Sequence, residues 1–214
     1  MFLTVEQERS AAHTASYTGA LVILGALAAN LGAPGFGEAL PELPGHAEEV
    51  LASAEVVRAY AHEQAQALRF VYAGAGPNSW TALEGALKAK EAAYVTAEGT
   101  ALETLLHGPL IGLERGDQLV LVNVPGPFES RASEVAVASE KIGMGVFFVG
   151  TPPLSSSTAR GVRLPETPEL LSPVLAALPV QLLACFLAEA RGANPDSFRR
   201  DVERYAEAMK PIHL

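Results

Sequence analysis

Residues 70–96 read FVYAGAGPNSWTALEGALKAKEAAYVT, and this stretch decides the fold. It opens with the uncharged run Phe70–Ala73, turns at a glycine-rich segment, keeps a helical spacing over residues 79–91 and ends in a second uncharged run, Ala93–Thr96. Two short runs rich in β-branched and aromatic residues, joined by a helix, are typical of parallel strands. We therefore predict a strand, a helix and a second strand here.

The same alternation continues further along the chain. Uncharged runs occur at Leu119–Val122 and Val146–Val149, with Gly161–Leu164 as a candidate edge strand, and helical periods occur near 128–142 and 171–191. Strands that are apolar on both faces belong to sheets covered on both sides. The expected fold is an α/β protein, a flavodoxin-like three-layer α/β/α sandwich with a roughly five-stranded parallel sheet.

Two helical stretches precede this unit. Ser10–Leu31 is apolar on nearly all sides and is expected to be buried, and His46–Ala67 is amphipathic. The uninterrupted apolar part of the first stretch, Ala20–Ala29, is far shorter than the roughly 20 residues of a membrane span, so we expect no membrane segment. The predicted division is a helical arm at 1–67, an α/β domain at 68–192 and a tail helix at 193–214.

Composition excludes several kinds of partner. The net charge is −9 and the pI about 5.0, so nucleic acid is not expected as a partner. Five scattered histidines and one cysteine offer no metal-ligand pair, and there is no Gly-Lys-Ser/Thr phosphate loop, so no metal or cofactor is expected. The single Cys185 fits a reducing cytoplasm, which is the expected location.

One candidate ligand segment follows the first strand. In open parallel sheets ligands bind at the carboxyl ends of the strands. There the sequence has Gly74-Ala75-Gly76-Pro77-Asn78-Ser79, whose glycines and free backbone N–H groups suit a small anion. The alternative is an ordinary turn capped by Asn78 or Ser79, and capping chemistry gives the two equal weight.

Two further features can carry chemistry. Glu84, Lys88 and Glu91 are spaced i, i+4, i+7 and so share one helix face, where two carboxylates beside an amine could move a proton on an enolisable sugar. The spacing alone favours a solvated ion-pair ladder instead. His107 lies in a predicted loop. It could open a sugar ring by proton transfer, or it could be a turn histidine held by hydrogen bonds, and the sequence gives these two roles equal weight.

Four blocks at matching spacing resemble a known family. They are ALEGALKAKE at 82–91, AEG at 97–99, HGPL at 107–110 and SPVLAALPVQLLA at 172–184. They resemble the sugar isomerase (SIS) domain family, in particular the second SIS domain in the isomerase region of glucosamine-6-phosphate synthase and of related two-domain phosphosugar isomerases and deglycases. The likeness covers residues 68 to about 200, and AAHTASYT at 11–18 resembles the end of a first SIS domain.

The resemblance implies a function and roles for residues. It implies aldose–ketose isomerisation of a hexose 6-phosphate, or deamination or deglycation of an amino-sugar phosphate. Glu91 matches the glutamate that moves the proton between C1 and C2, and Glu84 and Lys88 match the residues that support it. His107 matches a ring-opening histidine that enters the site of the neighbouring subunit, and Arg199 matches the arginine of the family's tail.

The sequence also departs from the family pattern. The phosphate-gripping serine and threonine loop of a first SIS domain is absent, Phe198 replaces a proline of the tail, and Glu203 stands where the tail has a lysine. The alternative function is therefore a non-catalytic sugar-phosphate-binding module, or a half-enzyme that needs a partner. In either case the expected ligand is a small sugar phosphate, and homodimerisation is expected because the apolar first helix must be covered.

Overall fold

The computed structural model of the protein describes Glu8, Ser10, residues 12–153 and residues 156–211. The strands are β1 (Arg69–Gly74), β2 (Thr96–Ala101), β3 (Gln118–Asn123), β4 (Gly145–Gly150) and β5 (Arg160–Val162). The helices are α1 (Thr14–Asn30), α2 (Phe36–Ala39), α3 (Leu43–Leu51), α4 (Ala54–Glu63), α5 (Asn78–Ala93), α6 (Leu102–Leu106), α7 (Glu129–Ile142), α8 (Ser172–Ala190) and α9 (Glu203–Met209). Short 3₁₀ turns lie at Leu40–Glu42, Pro109–Gly112 and Glu169–Leu171.

The five strands form one parallel sheet with the order β2-β1-β3-β4-β5. Val71 in β1 is aligned with Glu98 in β2 on one side and with Leu119 in β3 on the other. The chain first builds outward from β1 to β2 and then crosses back to β3. The strand order therefore reverses between β1 and β3, which is where doubly wound sheets place their ligand crevice.

Alternate residues of the central strands face two separate hydrophobic clusters. Phe70 and Tyr72 of β1 pack with residues of α4, α5 and α8 on one face. Val71 of β1 and Leu119 of β3 pack with residues of α6 and α7 on the other face. Helices thus cover both faces of the sheet, and the predicted three-layer α/β/α sandwich is confirmed.

The second predicted strand, Ala93–Thr96, is wrong in position. Ala93 ends α5, Tyr94 follows in the left-handed region with φ 56°, and β2 begins only at Thr96. β2 is an edge strand of the sheet and half of its six residues are exposed, so it needs few apolar side chains. The segment that leads to His107 is consequently the end of β2 followed by α6, and His107 itself comes directly after α6.

The predicted helix His46–Ala67 is two helices. α3 ends at Leu51 and α4 begins at Ala54. Both helices pack against α8, and the break between them allows Val50 of α3 and Tyr60 of α4 to enter the same core. Periodicity alone did not reveal the break because both segments keep a helical spacing.

The first helix is only partly buried within one copy of the chain, and its cover by a second copy stays a prediction. α1 packs one side against α8 and α3, where Leu21 and Val22 join a small cluster. Leu24 and Leu27 of α1, and Leu31 just after it, are more than half exposed. The chain places neighbours beside only one side of this helix, so an apolar strip remains open.

One stretch, Glu169–Ala190, is long and apolar enough to cross a membrane by length and composition alone. Of its apolar window, 72% is buried inside the protein. Leu175, Leu183 and Leu187 of this stretch are fully enclosed. The stretch is therefore the core helix of the domain.

The tail after α8 contains turns and the short helix α9. The predicted division into 1–67, 68–192 and 193–214 stays a prediction. Residues 1–7, 9, 11 and 212–214 of the predicted arm and tail lie outside the described residues. They include Ala11, which opens the segment that resembles the end of a first SIS domain.

Candidate active site

Three of the four charged residues of α5, Glu84, Lys88 and Glu91, form a cluster that is largely removed from water. Lys88 Nζ lies 2.7 Å from Glu91 Oε2 and 3.6 Å from Glu84 Oε1. The exposed fractions of the side chains are 6% for Lys88, 10% for Glu84 and 20% for Glu91. A solvated surface ladder would leave these groups in water, so that alternative does not describe the cluster.

The amino-terminal segment closes over Lys88. Lys88 Nζ donates a hydrogen bond to the carbonyl oxygen of Ala12, 76 positions earlier in the chain. Together with the bond to Glu91, this contact directs the ammonium to two fixed acceptors. Lys88 therefore holds one oxygen of Glu91, and Oε1 of Glu91 accepts no hydrogen bond from the residues that the structure describes.

Glu8 fixes the segment that carries Ala12. Its carboxylate accepts hydrogen bonds from the backbone N–H groups of Ala15 and Ser16, at 3.0 and 2.8 Å, and from the hydroxyls of Thr14 and Ser16. These N–H groups open α1, so Glu8 caps that helix. Burial alone would raise the pKa of Glu8, but the hydrogen bonds outweigh it and lower the pKa from 4.5 to about 2.

Glu84 has an unusual environment within the cluster. Burial raises the pKa of its carboxyl, the charge of Lys88 lowers it, and the neighbouring Glu91 raises it again. The net direction is upward. Burial and the Glu84 charge also raise the pKa of Tyr17, which lies on α1. Two carboxylates share one buried ammonium here, an arrangement suited to moving a proton.

A cavity of about 310 Å³ lies beside Lys88. Its lining is mostly apolar and comes from the amino-terminal segment, α3, α5, α8 and the tail: Ser10, Ala12, Thr14, Leu51, Lys88, Ala92, Leu178, Gln181, Leu182, Ala184, Cys185, Pro195 and Asp196. Burial, then the charges of Glu189 and Asp196, raise the pKa of the Cys185 thiol. The thiol is therefore protonated at neutral pH and is a poor nucleophile.

The glycine-rich turn uses its side chains internally. Asn78 is buried, and its Nδ2 donates to Ser172 Oγ at 2.8 Å while its Oδ1 accepts from Thr81. Ser79 Oγ donates back to the carbonyl of Gly76 at 2.8 Å. Neither side chain caps α5, which begins at Asn78 with no side-chain cap. The interpretation of this segment as a turn capped by Asn78 or Ser79 is therefore wrong. Gly74 is needed for close approach, because an added β-carbon would lie 2.2 Å from the Asn78 carbonyl oxygen.

The glycine-rich turn and the charged cluster lie at opposite ends of α5. Asn78 is the first residue of the helix and Glu91 is near its end. Thirteen residues at about 1.5 Å each separate them by about 20 Å. A small ligand held at Gly74 and Gly76 therefore does not reach Glu91, and the predicted residues do not form one site.

His107 is not part of the cluster within one copy of the chain. Its side chain is 79% exposed and lies 3.8 Å from Glu103 Oε2. It follows α6, whose Leu102 and Leu105 pack on the face of the sheet opposite α5. The sheet thus stands between His107 and Glu91, so His107 does not reach this cluster within one copy of the chain.

Arg199 lies at the same end of α5 as Glu91. Its guanidinium stacks 4.5 Å from the ring centres of both Tyr94 and Tyr205, and its backbone N–H donates to Tyr94 Oη at 2.8 Å. Tyr94 follows α5 directly. Phe198 and Arg199 both adopt positive φ, at 48° and 58°. Arg199 therefore anchors the tail to Tyr94 at this end of α5 and does not lie at the glycine-rich turn.

Sequence reasoning missed three parts of this site. A backbone carbonyl such as that of Ala12 carries no sequence signal. Glu8 lies six residues before Thr14, which is too far along the chain for the local capping signals of a helix start to reveal it. Asp196 lies in a turn without periodicity. Among the described residues no group of three or more His, Cys, Asp or Glu side chains could hold a metal ion.

Comparison with known proteins agrees with this architecture. No protein-family model matches the chain. It is 37% identical over 196 residues to a glutamine–fructose-6-phosphate aminotransferase (isomerizing) of Pyrococcus horikoshii, covering 88% of this chain and 33% of that protein. A putative phosphosugar isomerase structure from Silicibacter pomeroyi matches with a TM-score of 0.70 and 26% identity, covering 87% of this chain and 56% of that one.

The chain belongs to the SIS domain family. A glucosamine-6-phosphate deaminase from Thermotoga maritima shares the fold, with a TM-score of 0.68, 23% identity, and coverage of 85% of this chain and 53% of that one. This SIS domain spans about a third of the length of the aminotransferase relative. The resemblance read from residues 82–91 and 107–110 is thereby confirmed at the level of the domain family.

Proposed function

We propose that this SIS domain carries the proton-transfer part of an aldose–ketose isomerisation, or of a related deamination or deglycation, on a hexose 6-phosphate. The observation that carries the proposal is the buried cluster of Glu84, Lys88 and Glu91 beside a cavity. The relatives are named as an aminotransferase, a deaminase and a putative isomerase, which supports catalysis over a purely binding role. The reducing cytoplasm suggested by the lone Cys185 is part of the proposal.

Glu91 acts as the general base of this proposal. On an open-chain aldose, its free Oε1 takes the proton from C2, the C2–H electrons form the C1–C2 double bond and the carbonyl electrons move to O1, which gives an enediolate. A proton then passes from the C2 hydroxyl to O1, the C2–O double bond forms, and C1 takes a proton from Glu91, whose carboxyl proton can exchange with water before this step. Lys88 holds Oε2 at 2.7 Å, so the carboxylate is oriented before the substrate arrives. Glu84 is a positioning residue, since it acts through Lys88.

The test is exchange of the C2 proton of hexose 6-phosphates with deuterated water, followed by NMR. We expect Glu91→Gln to lower exchange by about 10²–10⁴-fold, the usual contribution of a positioned base. Glu55→Gln removes an exposed helical carboxylate and serves as the matched control. Unchanged exchange in Glu91→Gln, or no exchange by the unaltered chain across the substrate panel, would contradict the proposal.

The active unit of this proposal is a homodimer in which His107 of one copy serves Glu91 of the other. The open strip of Leu24, Leu27 and Leu31 offers apolar surface for such pairing. Mixing inactive Glu91→Gln and His107→Ala chains should restore about a quarter of the activity, because half of the pairs are mixed and each has one intact site. A monomeric mass at micromolar concentration, or no recovery on mixing, would count against it.

A further inference from the structure

The crevice at the strand-order reversal has the elements of an anion site. The turn after β1 leads into α5 at Asn78, and the loop after β3 leads into α7 at Glu129. Both helices therefore begin beside the crevice between β1 and β3. Helix starts carry free N–H groups and favour negative charge. A phosphorylated ligand would be expected here from the topology alone.

A carboxylate of the chain itself already lies in this crevice. Glu169 belongs to the 3₁₀ turn before α8. A β-carbon added at Gly76, in the first loop, would lie 2.8 Å from Glu169 Oε1, and one added at Gly126, in the second loop, would lie 3.8 Å from the same carboxyl group. The remaining cavity between these loops is about 10 Å³, which is room for one water molecule and not for a phosphate.

The backbone that carries Glu169 is tied to the start of α5. Ser172 Oγ donates to the carbonyl oxygen of Glu169 at 2.6 Å and accepts from Asn78 Nδ2 at 2.8 Å. Leu171 beside it is buried, and its N–H donates to Pro168. This connection accounts for the buried position of Asn78. These hydrogen bonds also keep the 3₁₀ turn of Glu169 in contact with the glycine-rich turn.

We propose that Glu169 determines the specificity of this crevice by filling it with a tethered negative charge, which excludes phosphorylated ligands. The glycine-rich turn then contacts the Glu169 side chain of the same chain and does not bind a separate phosphorylated ligand. A sugar phosphate that reacts at Glu91 keeps its phosphate outside this crevice. The inference stands on the geometry at Gly76 and Gly126 and is independent of any reaction at Glu91.

The test uses inorganic phosphate as the probe and backbone amide NMR shifts of residues 74–79 and 123–129 as the readout. In the unaltered chain we expect no saturable shift of these amides. In Glu169→Gln and Glu169→Ala we expect saturable shifts and binding tighter by at least about tenfold, since one like charge has left a partly buried anion site. Glu166→Gln removes an exposed charge from the same segment and is the matched control.

Three outcomes would overturn the proposal. One is saturable phosphate binding at these amides in the unaltered chain. Another is phosphate binding by both Glu169 variants no tighter than by Glu166→Gln. The third is tighter binding that maps to residues outside the two loops. Glu169→Gln keeps the shape of the side chain, so it reports on charge even if Glu169→Ala fails to fold. Because no turnover is measured, the result is separate from the test of Glu91.

Discussion

Replacing Lys88 with methionine tests the charged cluster most directly. Methionine keeps the length of the side chain and removes the ammonium that Glu91, Glu84 and the Ala12 carbonyl share. Two carboxylates then face each other with little access to water. Removing one partner of a buried ion pair costs about 3–5 kcal/mol. Glu91 retains some exposure and Glu84 can take up a proton, so we expect the lower end.

An unfolding free energy reduced by about 3 kcal/mol lowers the melting temperature by about 6–12 °C for a chain of this size. The loss should also depend on pH. The pKa of Glu84 is already raised in the folded protein, and without Lys88 it rises further. The folded state then binds the proton more tightly than the unfolded state, so stability falls as pH rises from the unfolded pKa through the folded one.

The assay is urea unfolding followed by circular dichroism, at about pH 5 and about pH 8. The matched control is Lys90→Met, an exposed lysine on the same helix. We expect Lys88→Met to lose more stability than the control at both values, with the larger loss at the higher pH. A loss equal to that of Lys90→Met, or a loss that is the same at both pH values, would refute the reasoning.

Two further predictions concern backbone anchors. Glu8→Ala removes the cap of α1 and should cost about 1 kcal/mol at neutral pH. Because the pKa of Glu8 is lowered to about 2, this stability is present above the ordinary value near 4.5 and is lost as pH falls towards 2, so urea unfolding should show the two proteins converging in acid. Gly74→Ala places a β-carbon 2.2 Å from the Asn78 carbonyl oxygen and should cost about 3 kcal/mol, whereas Gly45→Ala meets nothing within 4 Å and should leave the melting temperature unchanged or slightly raised.

The sequence predicted the elements that are buried on both faces. β1, β3 and β4 were found because both faces of these strands pack against helices, which requires continuous apolar runs. β2 was misplaced because half of the residues of this edge strand are exposed, and Glu98 and Gly99 in it lack the apolar signal. The apolar run Ala93–Val95 that replaced it in the prediction belongs to the end of α5 and the turn after it.

The candidate site was predicted only in part, for a related reason. Spacing placed Glu84, Lys88 and Glu91 on one face, but spacing contains no information about what packs on that face. Their burial comes from α8 and from a segment about 76 positions away, which carries the Ala12 carbonyl. The glycine-rich turn was predicted to hold a ligand, and the side chain that reaches it belongs to Glu169, nearly 100 residues later.

The sheet that stands between His107 and Glu91 has a consequence for how the protein should behave on dilution. If each reaction centre contains groups from two chains, the rate per chain is independent of protein concentration only while the chains remain associated. When the protein concentration is below the dissociation constant of the pair, the rate per chain should fall in proportion to that concentration. A substrate molecule that contacts both chains should make this fall less steep. If His107 of one copy serves Glu91 of another, as proposed, the reaction rate per chain therefore depends on protein concentration.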